Sequence, residues 1–252
     1  MLEEIRQYVK EGRWEVSAST WVEADKNMTS AESMARHLLY TRTYLSRLLD
    51  IPVDSIRVDF EPDTFGHSEN VPEILANAGV EYYYHCRGSL DPRLMWWKAP
   101  SGARVLSYKD DEWYNVLVDH RFASGMLGAC REMGVDSMLK VYGVGDHGGG
   151  PTRRDLDMIQ DMQTWPVYPT MIFSTYHAFF DDIKARYGDQ LAVREGEMNP
   201  AFTGCYTSQS RIKQANRVGE ATLHEAELFA AAAQKDGTPF TRIDSYPRLK
   251  SF

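Results

Sequence analysis

Three acidic side chains alternate at the end of a short apolar run that has the character of a β-strand. Asp59, Glu61 and Asp63 follow one another at every second position, next to a strand predicted over residues 56–60. Alternation sends their side chains to one side of the chain while the strand lasts. A carboxylate that points into the mouth of a barrel needs a metal ion, a hydrogen-bond donor or water to offset its desolvation. The alternative is a solvated loop in which one Asp caps a helix.

A second acidic site lies in a glycine-rich stretch, residues 142–152, which follows another predicted strand. It lacks the Gly-x-x-x-x-Gly-Lys pattern of a phosphate loop, so nucleotide binding has little support. Glycines let the backbone approach a ligand closely, and Asp146 and His147 are the ionisable side chains that could act there. A flexible connection whose Asp caps a turn is the alternative. Carboxylates at the ends of two different strands are what glycoside hydrolysis requires.

Strands and helices alternate along the chain in the manner of βα units, which predicts an α/β fold with a mostly parallel sheet. Short β-branched or aromatic runs predict strands over residues 14–18, 56–60, 82–85, 104–108, 138–142 and 170–174. Segments of helical period predict helices over residues 2–11, 30–49, 71–78, 122–133, 153–163 and 177–187. Thr29 or Ser30 is the expected N-cap of the second helix.

The pattern changes near residue 190, so we predict one domain over residues 1–195 and the start of a helical domain over residues 196–252. From Ser208 onward about 25 residues are amphipathic and helix-forming, without a strand signal. One long helix cannot bury its apolar stripe alone. Its partners are therefore expected beyond Phe252 or in another subunit, which would make the protein a homo-oligomer.

Composition bounds the class of partner and the compartment. The 252 residues carry a net charge of -8, which argues against nucleic acid or an anionic membrane as partner and favours a neutral ligand. The first residues lack the pattern of a signal peptide, and no apolar run approaches the length of a membrane span, so we expect a cytoplasmic protein. Cys86, Cys130 and Cys205 lack disulfide or zinc spacing and are expected to be reduced packing residues.

Several linked motifs resemble glycoside hydrolase family 38, the zinc-dependent retaining α-mannosidases, and together they cover nearly the whole chain. Their order and spacing match as well, which makes the set far more specific than any one motif. The motifs are Trp-Val-Glu-Ala-Asp-Lys-Asn at 21–27, Ser-Ala-Glu-Ser at 30–33, Asp-Thr-Phe-Gly-His-Ser at 63–68, Val-Pro-Glu-Ile-Leu at 71–75, Ala-Gly-Val at 78–80, the Gly-Asp of 145–146 and the segment 204–217. The resemblance implies a distorted (β/α) barrel followed by the beginning of a helical domain.

The resemblance also implies roles for individual residues. Asp63 matches the family Asp that binds zinc and attacks the anomeric carbon, and Asp146 matches the motif from which the acid/base is drawn. His147 is a candidate substrate contact at a position where relatives vary. Arg87 stands where the family places an arginine beside the nucleophile, and it would keep the carboxylate ionised and oriented. Trp21 is a candidate substrate contact near the barrel mouth, although core packing is the role that its size favours.

One departure concerns the metal. The family's zinc site takes a His-x-Asp pair from the first barrel strand and a further His from beyond the barrel, and neither element is visible here. His67 is expected to brace its loop, and the other histidines lack ligand spacing. We therefore expect Zn²⁺ ligands besides Asp63 to lie outside these residues, so that this chain alone binds zinc weakly and has little activity.

The resemblance predicts an α-mannosidase that acts on mannose-containing oligosaccharides. Two alternatives belong to other classes. One is a truncated or degenerate barrel that binds carbohydrate without turnover. The other is a metal-dependent polysaccharide deacetylase, which also uses Asp and His at strand ends but whose paired-His spacing is not present.

Overall fold

A five-stranded sheet forms the centre of the computed structural model, which describes residues 1–110, 112–199 and 202–235. The strands are β1 (Val58–Glu61), β2 (Tyr82–His85), β3 (Leu94–Lys98), β4 (Arg104–Lys109) and β5 (Val193–Glu195), in the spatial order β1-β2-β4-β3-β5. β1, β2 and β4 run parallel, β3 is antiparallel to β4, and β5 is parallel to β3. The predicted α/β fold with a mostly parallel sheet is confirmed, and closure into a barrel stays a prediction.

Eight α-helices accompany the sheet in the described residues. They are α1 (Leu2–Lys10), α2 (Ala31–Leu49), α3 (Val71–Asn77), α4 (Met126–Met133), α5 (Arg153–Met162), α6 (Tyr176–Tyr187), α7 (Thr203–Thr207) and α8 (Ser210–Lys235). Local chemistry explains several starts: Ser30 Oγ accepts the amide hydrogen of Ser33, as predicted, and Thr152 forms a capping box with Asp155. These helices lie close to the ranges that the sequence predicts.

The sheet is apolar on both faces because helices cover both. Alternate strand residues such as Tyr82, Tyr84 and Trp96 face a cluster that includes Phe180 of α6. Residues of the opposite parity pack against α2 and α3, in a cluster formed by Met34, Leu38, Val71, Leu75, Val80, Tyr83, Met95, Trp97, Val105 and Met198. Burial on two sides explains why β2, β3 and β4 are nearly continuous apolar runs, whereas β1 carries the buried carboxylates Asp59 and Glu61. The carboxyl ends of the parallel strands lie at one edge of the sheet.

Three predicted strands are wrong, and two strands were missed. Residues 14–18, 138–142 and 170–174 have no ladder partner in the described part of the chain. In two of these segments a backbone carbonyl accepts a hydrogen bond from a side chain instead. Leu139 O accepts from Tyr108 Oη at 2.7 Å, and Met171 O accepts from Gln163 Nε2 at 2.9 Å. The sequence did not predict the antiparallel strand β3 or the short strand β5.

The chain divides into two compact units, Met1–Tyr206 and Thr207–Phe252. The second contains α8, which confirms the predicted long helix, and apolar side chains such as Leu223 and Phe229 are exposed along it. The end of the predicted second domain, residues 236–252, lies outside the described residues. The domain boundary near residue 195 stays a prediction.

Two smaller predictions concern the cysteines and the membrane. Cys86, Cys130 and Cys205 are free thiols; Cys130 is buried and Cys86 half-buried, but Cys205 is exposed and does not pack. Among the helices of the described residues, none has both the length and the apolar character required to cross a bilayer.

Candidate active site

The carboxyl ends of three neighbouring parallel strands bring the candidate residues together. Asp63 comes two residues after β1, Arg87 two residues after β2, and Tyr114 follows β4. Arg87 Nε donates a hydrogen bond to Asp63 Oδ1 at 2.6 Å, and a terminal guanidinium nitrogen lies 2.5 Å from the same oxygen. This edge is where parallel α/β folds present catalytic side chains. The predicted Asp63–Arg87 pair is therefore present in the structure.

Aromatic rings surround the guanidinium of Arg87. Its central carbon lies 4.6 Å from the ring centroids of Phe65 and Trp113 and 4.8 Å from that of Phe202. The Arg87 side chain is 16% exposed, whereas that of Asp63 is 34% exposed. The rings exclude water from the arginine and fix its plane. The carboxylate of Asp63 keeps an open side from which a ligand can approach.

Glu23 holds the backbone of the Asp63 loop. Its Oε1 accepts the amide hydrogen of Asp63 at 2.5 Å and lies 3.3 Å from Thr64 Oγ1. Burial raises the pKa of Glu23; the amide of Asp63 opposes this, and the negative charge of Asp63 adds to it. The Glu23 side chain therefore holds the loop by the backbone amide of Asp63.

Gly66 allows the segment after Asp63 to pack closely on residues 25–27. A Cβ at this position would lie 2.9 Å from Asn27 Cγ, closer than real Cβ atoms come, and 3.2 Å from Asp25 Oδ1, so the Asn27 side chain would have to move. Asn27 in turn donates to Asn199 Oδ1 at 2.5 Å. The glycine of the Asp-Thr-Phe-Gly motif is thus required by a close approach.

The other two alternating carboxylates meet a buried ammonium group. Lys26 Nζ lies 2.8 Å from Asp59 Oδ2 and 2.9 Å from Glu61 Oε1, and none of these side chains is more than 3% exposed. Burial alone would lower the pKa of Lys26, but Asp59 and Glu61 raise it above its ordinary value. The sequence predicted that these carboxylates need a compensating partner, but it did not identify Lys26.

The loop that carries Asp146 is a tight hairpin. Gly145 N donates to Gly149 O at 2.8 Å, and Asn115 Nδ2 donates to Asp146 Oδ1 at 2.8 Å. Because a Cβ on Gly145 would lie 2.6 Å from that of Asn115, the loop packs directly on the segment after β4. His147 Nε2 is 3.7 Å from Asp146 Oδ1, and the His147 side chain is 75% exposed. The loop fixes Asp146 and leaves His147 in solvent.

Tyr114 lies in the segment after β4 on which the Asp146 loop packs. Burial, the negative charges of Asp63, Asp146 and Glu23, and a hydrogen bond with Asp63 raise the pKa of Tyr114 to about 12. The sequence did not single out Tyr114. The aromatic pair Trp113 and Tyr114 directly after a strand is the signal that could have done so.

Trp21 is not a core residue. It is 56% exposed, and its edge packs against Tyr44 of α2 with ring centroids 5.4 Å apart. The expectation of core packing is therefore wrong, because the segment around Trp21 runs over the surface of α2. The contacts to the Asp63 loop come from Glu23 instead.

The described residues contain no group of three or more His, Cys, Asp or Glu side chains that could hold a metal ion. His67 is fully buried, its Nδ1 is 2.6 Å from Tyr83 Oη, and burial lowers its pKa, so it braces the loop as a neutral side chain. Burial also lowers the pKa of His85 to about 4. These residues do not make a complete zinc site; Asp63 is a candidate for one ligand.

Asp63 follows β1, and Asp146 lies in the hairpin that packs on the segment after β4, so the structure carries two carboxylates of the kind that glycoside hydrolysis uses. A family profile described as the N-terminal domain of glycosyl hydrolases family 38 matches residues 1–204. The chain belongs to glycosyl hydrolase family 38.

Named relatives agree with that membership. The chain is 28% identical over 249 residues to alpha-mannosidase G of Dictyostelium discoideum, covering 92% of this chain and 22% of the relative. It is 27% identical over 247 residues to an alpha-mannosidase of Saccharomyces cerevisiae, covering 88% and 22%. The crystal structure of an alpha-mannosidase from Enterococcus faecalis V583 matches with a TM-score of 0.62 at 19% identity, covering 78% of this chain and 23% of that one. The chain thus spans about a fifth of the length of these relatives.

Proposed function

We propose that the protein containing this chain is an α-mannosidase that removes terminal α-linked mannose from oligosaccharides with retention of configuration. The family membership and the names of the relatives support the substrate class. The observation that carries the proposal is the ion pair between Asp63 and Arg87 at the carboxyl edge of the sheet. It supplies a carboxylate that is oriented on one side and open on the other.

Asp63 is the proposed nucleophile and Asp146 the proposed acid/base. Asp63 attacks the anomeric carbon and forms a covalent glycosyl-enzyme, while Asp146 protonates the departing oxygen. Asp146 then removes a proton from the water that hydrolyses the intermediate. Retention requires the two carboxyl groups to stand about 5–5.5 Å apart. The Asp146 loop packs against the backbone of Tyr114, whose side chain hydrogen-bonds to Asp63, and this supports the pairing.

Family 38 enzymes are generally zinc-dependent, and we assign one zinc ligand to Asp63. When bound, the metal can polarise sugar hydroxyls. Because the described residues lack a complete ligand set, the 252-residue chain alone should bind zinc weakly. Isothermal titration checks this: tight one-to-one binding by this chain would contradict it.

Hydrolysis of a fluorogenic α-mannoside by the full-length gene product, with zinc supplied, tests the function. Asp63→Ala should abolish turnover, whereas Asp157→Ala on the exposed face of α5 removes a carboxylate remote from the site and serves as control. If the wild type turns over no α-mannoside, the domain is degenerate and binds carbohydrate without turnover, or it acts on another sugar.

The role of Asp146 has its own test. Asp146→Asn should lower kcat/KM, which reports formation of the glycosyl-enzyme, by about 10²–10⁴-fold for a substrate with a poor leaving group and much less for an activated aryl mannoside, because only the poor leaving group needs a proton in that step. His147→Ala should affect both substrates equally and weakly, since His147 is exposed. Equal losses for both substrates in Asp146→Asn would assign the acid/base elsewhere. A cytoplasmic location and a homo-oligomeric state stay predictions from the sequence.

A further inference from the structure

A buried lysine stands at the base of the loop that presents Asp63. We propose that Lys26 is a positioning residue for this loop: its ammonium group fixes the end of β1 and, through Glu61 and Thr64, the place of Asp63. The proposal rests on the proposed function, in which Asp63 reacts with substrate. Lys26 is buried away from the open side of Asp63; it lies within the motif at 21–27, but the resemblance gives it no role of its own.

The contacts form a continuous chain from the ammonium to the loop. Lys26 Nζ lies 2.9 Å from Glu61 Oε1, and the other oxygen of Glu61 accepts the hydroxyl hydrogen of Thr64 at 2.6 Å. Thr64 Oγ1 is also 3.3 Å from Glu23 Oε1, which accepts the amide hydrogen of Asp63. Glu61 is therefore held from both of its oxygens, so its position determines that of Thr64.

The same ammonium attaches the preceding segment to β1. Lys26 Nζ is 2.8 Å from Asp59 Oδ2, Ser19 Oγ donates to Asp59 Oδ1 at 2.7 Å, and Thr20 Oγ1 donates to Glu61 Oε1 at 2.9 Å. Glu23, whose carboxylate accepts the amide hydrogen of Asp63, lies in this segment between Thr20 and Lys26. Both supports of the Asp63 loop, Glu23 and Thr64, thus depend on one charged group.

Stability alone does not account for such a group. Buried ion pairs can commonly be replaced by apolar side chains without loss of stability, so their usual contribution is a defined geometry. The Lys26 ammonium contacts Asp59 and Glu61 together, so without it Glu61 loses a charged partner that holds the oxygen opposite its bond to Thr64.

Lys26→Met in the full-length protein tests the proposal, with Lys184→Met as the matched control. Lys184 pairs with Glu81 at 2.5 Å on the outer face of α6, so the control also breaks a lysine–glutamate pair. We expect kcat of Lys26→Met to fall by about 10–100-fold, because small misplacements of a reacting group are costly, while KM changes less than about threefold. Amide hydrogen exchange in residues 61–66 should rise in Lys26→Met and not in the control.

A purely structural role would lower the yield or melting temperature without changing kcat per folded molecule. Unchanged kcat, or unchanged exchange in residues 61–66, would overturn the proposal. Exchange does not depend on activity, so it still decides the role of Lys26 in the loop if the wild type proves not to be an α-mannosidase.

Thr64→Val serves if Lys26→Met fails to fold. Valine has nearly the same shape as threonine and leaves the Lys26–Glu61 pair intact, but it breaks the link to the loop. We expect about a tenfold lower kcat with an almost unchanged KM and faster exchange in residues 61–66. A Thr64→Val enzyme with wild-type kcat would overturn the proposal as well.

Discussion

Replacement of Arg87 by Met should lower kcat/KM for an α-mannoside by about 30-fold. The guanidinium makes two contacts of 2.6 and 2.5 Å to Asp63 Oδ1. A charge-assisted hydrogen bond is worth about 1.5–3 kcal/mol, and the 34% exposure of Asp63 brings the value toward about 2 kcal/mol. Because about 1.4 kcal/mol corresponds to a factor of ten in rate, this loss gives about 30-fold.

Arg87→Lys should recover only part of that loss. Lysine keeps the charge but cannot present the planar fork that lies between the rings of Phe65, Trp113 and Phe202, each contact being worth about 0.5–1 kcal/mol. The assay is steady-state hydrolysis of a fluorogenic α-mannoside by the full-length protein. Arg104→Met is the control, because Arg104 also packs on an aromatic ring, that of Trp96, but on the exposed side of β4.

A loss below about threefold in a stably folded Arg87→Met enzyme would refute this reasoning. A similar loss in Arg104→Met would show that removal of any ring-packed arginine disturbs the domain. Full recovery by Arg87→Lys would mean that charge alone, without orientation, is what Asp63 requires.

Three further predictions follow from single side chains. Gly66→Ala should lower kcat/KM by about tenfold or more as the loop shifts away from its neighbours, whereas Gly128→Ala, in open space on α4, should stabilise the protein by about 1 kcal/mol in thermal unfolding. Tyr114→Phe should reduce kcat/KM by about tenfold without moving the alkaline limb of the pH profile, since the raised pKa of about 12 keeps the hydroxyl protonated. Burial raises the pKa of Asp155, but hydrogen bonds from Thr152 bring it below its ordinary value, so this stability is present at neutral pH and lost as pH falls through the folded pKa. Asp155→Asn should therefore cost about 1–2 kcal/mol at pH 7 in denaturant titrations, and this cost should disappear as the pH falls through the lowered pKa of the folded state.

The sequence predicts those parts of the fold that depend on neighbouring residues. The starts of α2 and α5 follow from capping side chains, Ser30 and Thr152, that lie within the same turn as the amides they satisfy. Residues 138–142 have strand-like composition but no ladder partner, because pairing depends on a second segment elsewhere. The strand β3 was missed for the same reason, since its antiparallel partner β4 defines it.

Some residues of the candidate site could also be predicted from the sequence, and others could be identified only from the fold. The resemblance placed Asp63 and Arg87 together, and the structure pairs them. The role of Lys26 could not be found from the sequence, because it arises from charges brought near by the fold: Asp59 is 33 residues from Lys26. Tyr114 was overlooked, although its place beside Trp113 after a strand was a signal for it. Trp21 was assigned by size to the core, yet the turn that presents Glu23 leaves the indole on the surface.

Covalent trapping of the nucleophile tests the central claim most directly. The full-length protein would be incubated with a fluorinated mannosyl fluoride, which forms the glycosyl-enzyme but turns it over slowly, and digested for mass spectrometry. We predict one added sugar on the peptide that contains Asp63, and none in Asp63→Ala. A sugar attached to a different carboxylate, or turnover with inversion and no trapped intermediate, would contradict the assignment of Asp63.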